Sequence, residues 1–259
     1  MADDNRPLKY MRYAVGEIAL VVIGILIAFS VNNYNQSRID KKDAAAYLEG
    51  IRSDLLKQII DFEEVITYND QRIMIINELL DNEVEQGGFK RNDSIIGMFN
   101  KIISVSSPTE TKTAFTELLS SGDLNLIRNE ILKSEIVRFY QNLKEMVQRS
   151  NGNITNVYQN HLLSILTART LIGNQGNYSG YWGNLNIEVI DRNYPDHVKE
   201  AVFEKLEDPE LELELVNALN LRALIEVLQK DRSKTIVESA HELVNHIESE
   251  LRDQHHIEF

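Results

Sequence analysis

The longest apolar run of the chain lies close to its start. Residues 18–31 carry no charge, and the apolar character reaches back to Tyr13 with Glu17 as the one charged interruption. Because a helix needs roughly 20 residues to cross a bilayer, residues 13–34 are long enough to span one. The pattern therefore predicts a single transmembrane helix over residues 13–34, preceded by a short tail over residues 1–12.

Tyrosines flank this segment on both sides. Tyr10 and Tyr13 precede its apolar core and Tyr34 follows it. Tyr13 and Tyr34 are separated by roughly 32 Å along a helix, which matches a hydrocarbon core of roughly 30 Å. Since tyrosine favours the headgroup level of a membrane, we expect all three side chains at membrane interfaces, with membrane lipid as a partner.

Two other interpretations of the segment stay open. Its apolar core is short enough for a cleaved signal peptide, and Ala28-Phe29-Ser30 resembles a small-x-small cleavage site. A buried core helix is the second alternative, and it requires a domain that wraps the helix entirely. The helix-like polar pattern that continues past Val31 without a break favours the membrane anchor.

The segment also contains a small-residue face and one ionisable group. Gly24 and Ala28 form a small-xxx-small pair, and Gly16 lies on the same face two helical steps earlier, so that another helix can approach closely there. Glu17 borders this face. Its carboxyl group either reaches the headgroup zone one turn from Tyr13, or is protonated, or faces a partner helix.

The flanking charges leave the orientation open. Three basic residues precede the span and three follow it, so the positive-inside rule does not decide between the two orientations (Arg6, Lys9 and Arg12 before; Arg38, Lys41 and Lys42 after). Long C-terminal domains are translocated largely regardless of their charge. We therefore expect a cell inner-membrane protein with its N-terminus in the cytoplasm and its soluble domain in the periplasm.

The remaining chain, residues 35–259, shows the periodicity of amphipathic helices. Apolar residues recur at helical spacing over residues 44–68 and, after a predicted break at Asn69-Asp70, up to Gly87-Gly88. Further helices are predicted over residues 92–104, 109–120, 126–172 with a bend at 151–153, and 208–252. Helices this long must pack antiparallel to bury their stripes. The predicted fold class is mainly α, with a single N-terminal transmembrane helix followed by a long antiparallel helical bundle.

The last predicted helix has both a clear start and a clear stripe. Asp208 and Pro209 fit the N-cap and the first helical position. Its apolar stripe begins at Leu211, passes through either Leu221 or Arg222 and then Leu228, and ends at Ile247.

Residues 173–195 form the one region without a helical pattern. They mix glycine and asparagine with aromatic residues, and Asn184 to Val189 is compatible with one short strand. The candidate binding loop consists of Tyr178, Tyr181, Trp182 and Tyr194, because aromatic side chains on loops stack on ligands and anchor protein partners. The alternative is that these rings plug one end of the helical domain.

Composition and motifs exclude several classes of function. The chain has 40 acidic and 27 basic residues and a net charge of −13, which repels phosphates and argues against nucleic-acid binding. It contains no cysteine, so disulfides and cysteine nucleophiles are excluded. His241 and His246 lie five residues apart, whereas a zinc-protease helix needs two histidines four apart on one face. We predict no catalytic residue, no metal site and no cofactor.

Two motifs resemble those of a known family. Residues 13–35 (YAVGEIALVVIGILIAFSVNNYN) are similar to the anchor "YAIGEIxLVVxGILIALxxNNWNE" of a family of membrane proteins of unknown function that is abundant in Bacteroidota. Residues 115–127 (FTELLSSGDLNLI) resemble its "ELxSSGxLxLI" motif, in which Ser120 to Asp123 is predicted to end one helix and begin the next. Tyr34 replaces the usual tryptophan, and the N-terminal tail is less basic. The resemblance implies a membrane-anchored domain and supplies no activity.

These observations favour an interaction protein over an enzyme. The expected function is that of an accessory or scaffold subunit, whose partners are other membrane protein subunits or further copies of itself. The alternative is an extracytoplasmic sensory or ligand-binding module that signals through a partner, with residues 173–195 holding the ligand.

Overall fold

The computed structural model describes residues 6–89, 93–171 and 194–255. Helices account for 89% of these residues, and no strand occurs among them. The prediction of a mainly α protein is therefore confirmed. The short strand predicted at Asn184 to Val189 lies outside the described residues.

The first helix, α1, runs unbroken from Arg6 to Gln86. Its 81 residues correspond to a length of about 120 Å. Gly87 and Gly88 end it with positive φ angles of 65° and 142°, which glycine adopts without steric cost. The break predicted at Asn69-Asp70 is wrong, because Asn69 is buried within the continuing stripe and Asp70 forms an ion pair with Lys230.

The last helix, α7 (Pro209–His255), lies antiparallel to α1. Arg52 forms an ion pair with Glu248 at 2.7 Å, and Asp70 forms one with Lys230. The later residue of α1 therefore meets the earlier residue of α7, as in an antiparallel pair. The predicted start is confirmed, because the Glu210 amide donates to the Asp208 carboxylate at 3.0 Å. The C-terminal end of α7 therefore lies beside the first buried residues of α1, Ala44 and Ala45.

Five further helices complete the described fold. They are α2 (Asp93–Ile103), α3 (Thr113–Ser121), α4 (Glu130–Asn153), α5 (Leu163–Thr167) and α6 (Asp196–Leu206). A 3₁₀ turn, Asp123–Leu126, precedes α4, and a π-helical segment, Ile154–Leu162, joins α4 to α5. At residues 151–153, where a bend is predicted, α4 continues to Asn153 and the π-helical segment begins directly afterwards.

The apolar core has two parts along α1. One joins the stretch of α1 from Ala45 to Phe62 with α3, α4 and the C-terminal half of α7. The other joins Ile76 and Leu79 with α2, the π-helical segment, α5, α6 and the N-terminal half of α7. The second part is farther along α1 from the predicted span.

The stripe of α7 decides between the two predicted alternatives and differs from the prediction at one position. Of the alternatives, Arg222 is buried and Leu221 is exposed. Leu228 is 39% exposed, and Gln229 is buried in its place. Arg222 and Gln229 both donate to backbone carbonyls of the segment between α2 and α3, which accounts for their burial.

The predicted helix over residues 109–120 begins four residues late, at Thr113. The Gln58 side chain donates to the Thr109 carbonyl at 3.0 Å and accepts from the Thr111 amide at 2.7 Å. The Asp54 carboxylate then accepts from the Ala114 amide at 2.7 Å. These contacts from α1 engage the backbone of residues 109–112 ahead of α3 and cap α3 from outside its own sequence.

Gly50 marks a close approach between α1 and α3. A Cβ atom at Gly50 would lie 2.9 Å from the Ala114 Cβ, whereas one at Gly97 of α2 would meet nothing within 4 Å. We expect Gly50→Ala to lower the free energy of unfolding by about 1–3 kcal/mol, since α3 must move outward. Gly97→Ala should instead raise it by about 0.5–1 kcal/mol. Urea unfolding of both variants checks this, and changes of the same sign would contradict it.

Candidate functional site: the exposed apolar part of α1 and the polar layer of the core

The apolar N-terminal part of α1 has no partner among the described residues. Every side chain from Ala14 to Gln36 is exposed. This stretch is apolar and long enough to cross a membrane, and none of its most apolar window is buried. Large apolar side chains that are more than half exposed include Ile18, Leu20, Ile23, Ile25, Leu26, Ile27, Phe29 and Val31.

The small residues of this stretch lie on an open surface. A Cβ atom at Gly16 or at Gly24 would meet nothing within 4 Å, and Ala28 is exposed. Glu17, the one ionisable residue of the stretch, is also exposed. The face that the sequence predicts for helix packing is therefore unoccupied by the described part of this chain.

The flanking tyrosines lie on the same continuous helix. Tyr34 is exposed, whereas Tyr10 and Tyr13 belong to the first turns of α1 and their side chains lie outside the described set. Their placement at membrane interfaces stays a prediction.

The first contact with the rest of the fold comes directly after this stretch. Ser37 is the first half-buried residue, and its hydroxyl accepts from the Arg128 guanidinium at 3.4 Å. Further along, the Tyr47 hydroxyl donates to the Asp123 carboxylate at 2.9 Å and lies 3.1 Å from the Ser121 hydroxyl. The turn between α3 and α4 is thus fastened to α1.

Ser120 to Asp123 joins two elements, as the sequence predicts. Gly122 ends α3 in the left-handed region, at φ 79°, and its amide donates to the Leu118 and Leu119 carbonyls. Asp123 begins the 3₁₀ turn. Leu118 and Ile127 on either side are buried in the core, so this motif positions the start of α4 against α1.

A layer of polar side chains crosses the core between its two apolar parts. Arg222 is 1% exposed, and its guanidinium lies 2.5 Å from the Glu226 carboxylate one turn later on α7. The same guanidinium lies 4.4 Å from the ring centre of Tyr158, in the π-helical segment. Burial raises the pKa of Glu226, and the charges of Arg222 and Arg72 oppose that effect.

These polar groups pair with the backbone between α2 and α3. Arg222 donates to the Ser104 carbonyl at 2.9 Å, and Gln229 donates to the Ser106 carbonyl at 3.1 Å. Tyr158 donates to the Ile103 carbonyl. Because burial raises its pKa to about 12, Tyr158 keeps its proton. Since buried carbonyls of an extended segment have no helical partner, these side chains satisfy them.

The layer continues to α1 through Ser104. The Ser104 hydroxyl accepts from Tyr68 at 2.7 Å and from Arg72 at 2.6 Å. The Arg72 guanidinium also lies 4.2 Å from the Tyr68 ring centre. Through these contacts the polar side chains link α1 and α7 to the segment between α2 and α3.

Two carboxyl groups meet at the far end of α1. The Glu83 carboxyl group lies near Glu212 in the first turn of α7. Burial, together with this neighbouring carboxylate, raises the pKa of Glu83 to about 7. The protonated form of Glu83 is therefore favoured where α1 meets α7.

The free energy of unfolding should fall as pH rises from about 4.5 to about 7. The folded-state pKa of Glu83 is above its ordinary value of 4.5, so the folded state holds a proton that the unfolded state releases in this range. Glu83→Gln removes this ionisation and should reduce the fall, whereas Glu78→Gln, at an exposed position of α1, should not. Urea unfolding between pH 5 and 8 checks this, and identical slopes in both variants would contradict it.

The remaining candidate residues are not brought together. His246 lies 2.8 Å from Glu135, beside an open groove of about 260 Å³ between α4 and α7, and His241 is exposed. Across the described residues, no three histidine or carboxylate side chains are grouped to hold a metal ion. Tyr178, Tyr181 and Trp182 lie outside the described residues, and Tyr194 is half-buried just before α6.

Sequence reasoning missed several residues of the site. Arg128 follows the second motif and carries no periodic signal. Glu83 and Glu212 become neighbours only through the pairing of α1 with α7. Arg222 was one of two alternatives for the stripe of α7, and its contacts with Glu226 and the Ser104 carbonyl were not predicted.

Comparison with known proteins identifies a family whose profile matches more than half of the chain. The profile of a family described as "Family of unknown function (DUF6090)" matches residues 17–169. This match begins inside the exposed apolar stretch and ends just after α5. No curated protein and no solved structure matches the chain.

Proposed function

This chain belongs to the DUF6090 family of unknown function, and we propose that it is a single-pass membrane protein with a helical-bundle domain on one side of the bilayer. It serves as an accessory or scaffold subunit that joins other membrane protein subunits or further copies of itself, without catalysis. The exposure of every side chain from Ala14 to Gln36 on an unbroken helix carries this proposal. A bilayer is the solvent in which such a surface is stable.

The partner contact is proposed for the small-residue face of the span. Gly16, Gly24 and Ala28 leave room for the backbone of a second helix, and close approach of this kind drives helix association in membranes. Glu17 borders the same face, where a polar partner would stabilise it.

The compartment belongs to the proposal as well. The N-terminus is placed in the cytoplasm, and the domain is placed on the periplasmic side of the inner membrane. The net charge of −13 supports a domain that does not bind nucleic acid.

The first experiment is purification of the full-length protein in mild detergent, with light scattering and mass spectrometry of all chains present. We expect an intact chain of 29.8 kDa in a closed oligomer or with defined partner chains. A chain shortened after Ala28 or Ser30 would instead identify a cleaved signal peptide. A lone intact monomer would contradict the scaffold role.

Cysteine cross-linking then tests the contact face within membranes. Since the chain has no cysteine, single variants have no background. Gly24→Cys and Ala28→Cys should form cross-links to a second copy or to a partner, whereas Leu26→Cys, about 200° from Gly24 around the helix, should not. Equal cross-linking at all three positions would contradict the proposed face.

A sensory role is the second candidate, and the continuity of α1 favours it. One unbroken helix connects the proposed span to the polar layer at Tyr68 and Arg72. A ligand that binds the domain and raises its melting temperature would support this role. If no ligand stabilises the domain, the scaffold role is preferred.

A further inference from the structure

Arg128 is held in a fixed position at the end of the domain nearest the proposed span. Before it, the Ile127 side chain is buried, and the Ile127 amide donates to the Leu124 carbonyl at 3.3 Å. After it, Asn129 caps α4 by accepting from the Leu132 amide at 3.2 Å and donates to Glu250 at 2.8 Å. The backbone on both sides of Arg128 is therefore fixed by buried or capping contacts.

The Arg128 guanidinium lies close to the level where the span ends. It donates to Ser37 of α1 at 3.4 Å, and Ser37 follows Tyr34 by about 4.5 Å along the helix axis. The headgroup layer on each side of a bilayer is about 5–8 Å thick. If Tyr34 marks the edge of the hydrocarbon core, this guanidinium lies at the depth of the lipid phosphates.

Arg128 has no carboxylate partner within the described chain. The acidic groups around it are bound to other residues. Gln36 donates to Asp40 at 2.9 Å, Tyr47 donates to Asp123, Lys133 donates to Glu130 at 2.7 Å, and Asn129 donates to Glu250. The Arg128 side chain is exposed and donates to the Ser37 hydroxyl.

Further cations follow the span on α1. Arg38, Lys41 and Lys42 are exposed, and Asp40 and Asp43 are the acidic residues of this stretch. The carboxylates of Asp123, Glu130 and Glu250 balance part of this charge, but they are bound by Tyr47, Lys133 and Asn129, whereas Arg128, Arg38, Lys41 and Lys42 are exposed. Exposed cations at this height complement an anionic membrane surface.

We infer that Arg128, with Arg38, Lys41 and Lys42, forms a surface that binds the phosphate headgroups of anionic phospholipids. The planar guanidinium presents paired donors that match phosphate oxygens. This contact fixes the domain against the bilayer, so that α1 does not tilt freely about the end of its span. The inference rests on the proposed membrane insertion of residues 13–34.

The test uses the full-length protein in vesicles of phosphatidylcholine alone or mixed with phosphatidylglycerol. An Asn125→Cys variant, exposed in the 3₁₀ turn next to Arg128, carries a fluorophore that nitroxide-labelled headgroups quench on contact. We expect stronger quenching with phosphatidylglycerol, and loss of this difference at high salt. One cation near an anionic surface shifts the binding equilibrium about fivefold. Arg128→Gln should therefore weaken the contact of the domain with phosphatidylglycerol vesicles about fivefold and lower the quenching there.

Matched variants and an extraction assay make the outcomes distinct. Arg128→Lys keeps the charge and should retain the dependence on phosphatidylglycerol, and Arg138→Gln, an exposed arginine of α4, should behave like the unmodified chain. Equal quenching in both vesicle types, or an unchanged signal in Arg128→Gln, would overturn the inference. If alkaline extraction releases the protein from the vesicles, the proposed function itself fails. If the protein stays in the bilayer and its quenching ignores lipid charge, only the inference about Arg128 fails.

Discussion

Replacing Arg222 by methionine should destabilise the domain more than any surface substitution in the chain. The variant leaves Glu226 buried without its partner at 2.5 Å and removes the donor to the Ser104 carbonyl. Breaking a buried ion pair by removing one partner costs about 3–5 kcal/mol, and only the weaker effect of Arg72 on Glu226 would remain. Urea unfolding of the full-length protein in detergent, followed by circular dichroism, measures the change.

The chain offers a closely matched control for Arg222→Met. Arg149 and Glu145 also form an arginine–glutamate pair one turn apart on a helix, but both side chains are about two-thirds exposed. Arg149→Met should therefore change the free energy of unfolding by less than about 0.5 kcal/mol. The double variant Arg222→Met/Glu226→Leu removes both charges and should be more stable than Arg222→Met alone. Similar losses at Arg222 and Arg149 would show that the polar layer does not hold the core together.

The effect of Arg222→Met should also depend on pH. Arg222 opposes the burial that raises the pKa of Glu226, so its removal raises that pKa further. The folded variant then binds a proton that the unfolded chain releases, and its stability falls as pH rises above the ordinary glutamate value. The gap between the variant and the unmodified chain should be wider at pH 8 than at pH 5. If Arg222→Met caused only a packing defect, the difference in free energy of unfolding from the unmodified chain would be the same at pH 5 and pH 8.

The helices could be predicted from sequence because their signals are local. The apolar period of 3.6 residues identifies α1 and α7, Gly87-Gly88 ends α1, and Asp208-Pro209 begins α7. The late start of α3 could not be predicted, because its cause is Gln58 and Asp54 on α1, more than fifty residues earlier in the chain. The π-helical segment after Asn153 likewise has its partner, Arg222, on a distant helix.

The candidate site likewise contains residues that could be predicted from adjacent positions and residues whose role depends on distant contacts. The exposed apolar stretch could be predicted, because a run of such residues is a property of adjacent positions. Arg128 could not, since its importance comes from its distance to Ser37, ninety-one residues away in the chain. The pairing of Glu83 with Glu212 depends on the antiparallel register of α1 and α7, which an alternation of apolar and polar residues does not specify.

Ile23→Arg should prevent stable membrane insertion. Ile23 lies at the middle of residues 13–34 and is exposed on α1, so under the proposed insertion a charge there would meet the centre of the hydrocarbon core. An arginine at the centre of a spanning helix costs about 2.5–3.5 kcal/mol on insertion scales, which corresponds to about a hundredfold change in the insertion equilibrium. We expect the variant to leave the membrane fraction or to be lost by degradation, as measured by alkaline extraction and quantitative detection of the chain.

Met74→Arg is the control for this experiment, because Met74 is 71% exposed on the same helix but lies outside the apolar stretch. A charge at Met74 remains in water and should leave membrane association unchanged. If Ile23→Arg and Met74→Arg both remain in the membrane fraction, residues 13–34 do not span the bilayer, and the exposed apolar stretch must be covered by a protein partner instead. If only Ile23→Arg is lost from the membrane fraction, residues 13–34 are surrounded by lipid. The position of Tyr34 then fixes the height of the domain above the membrane.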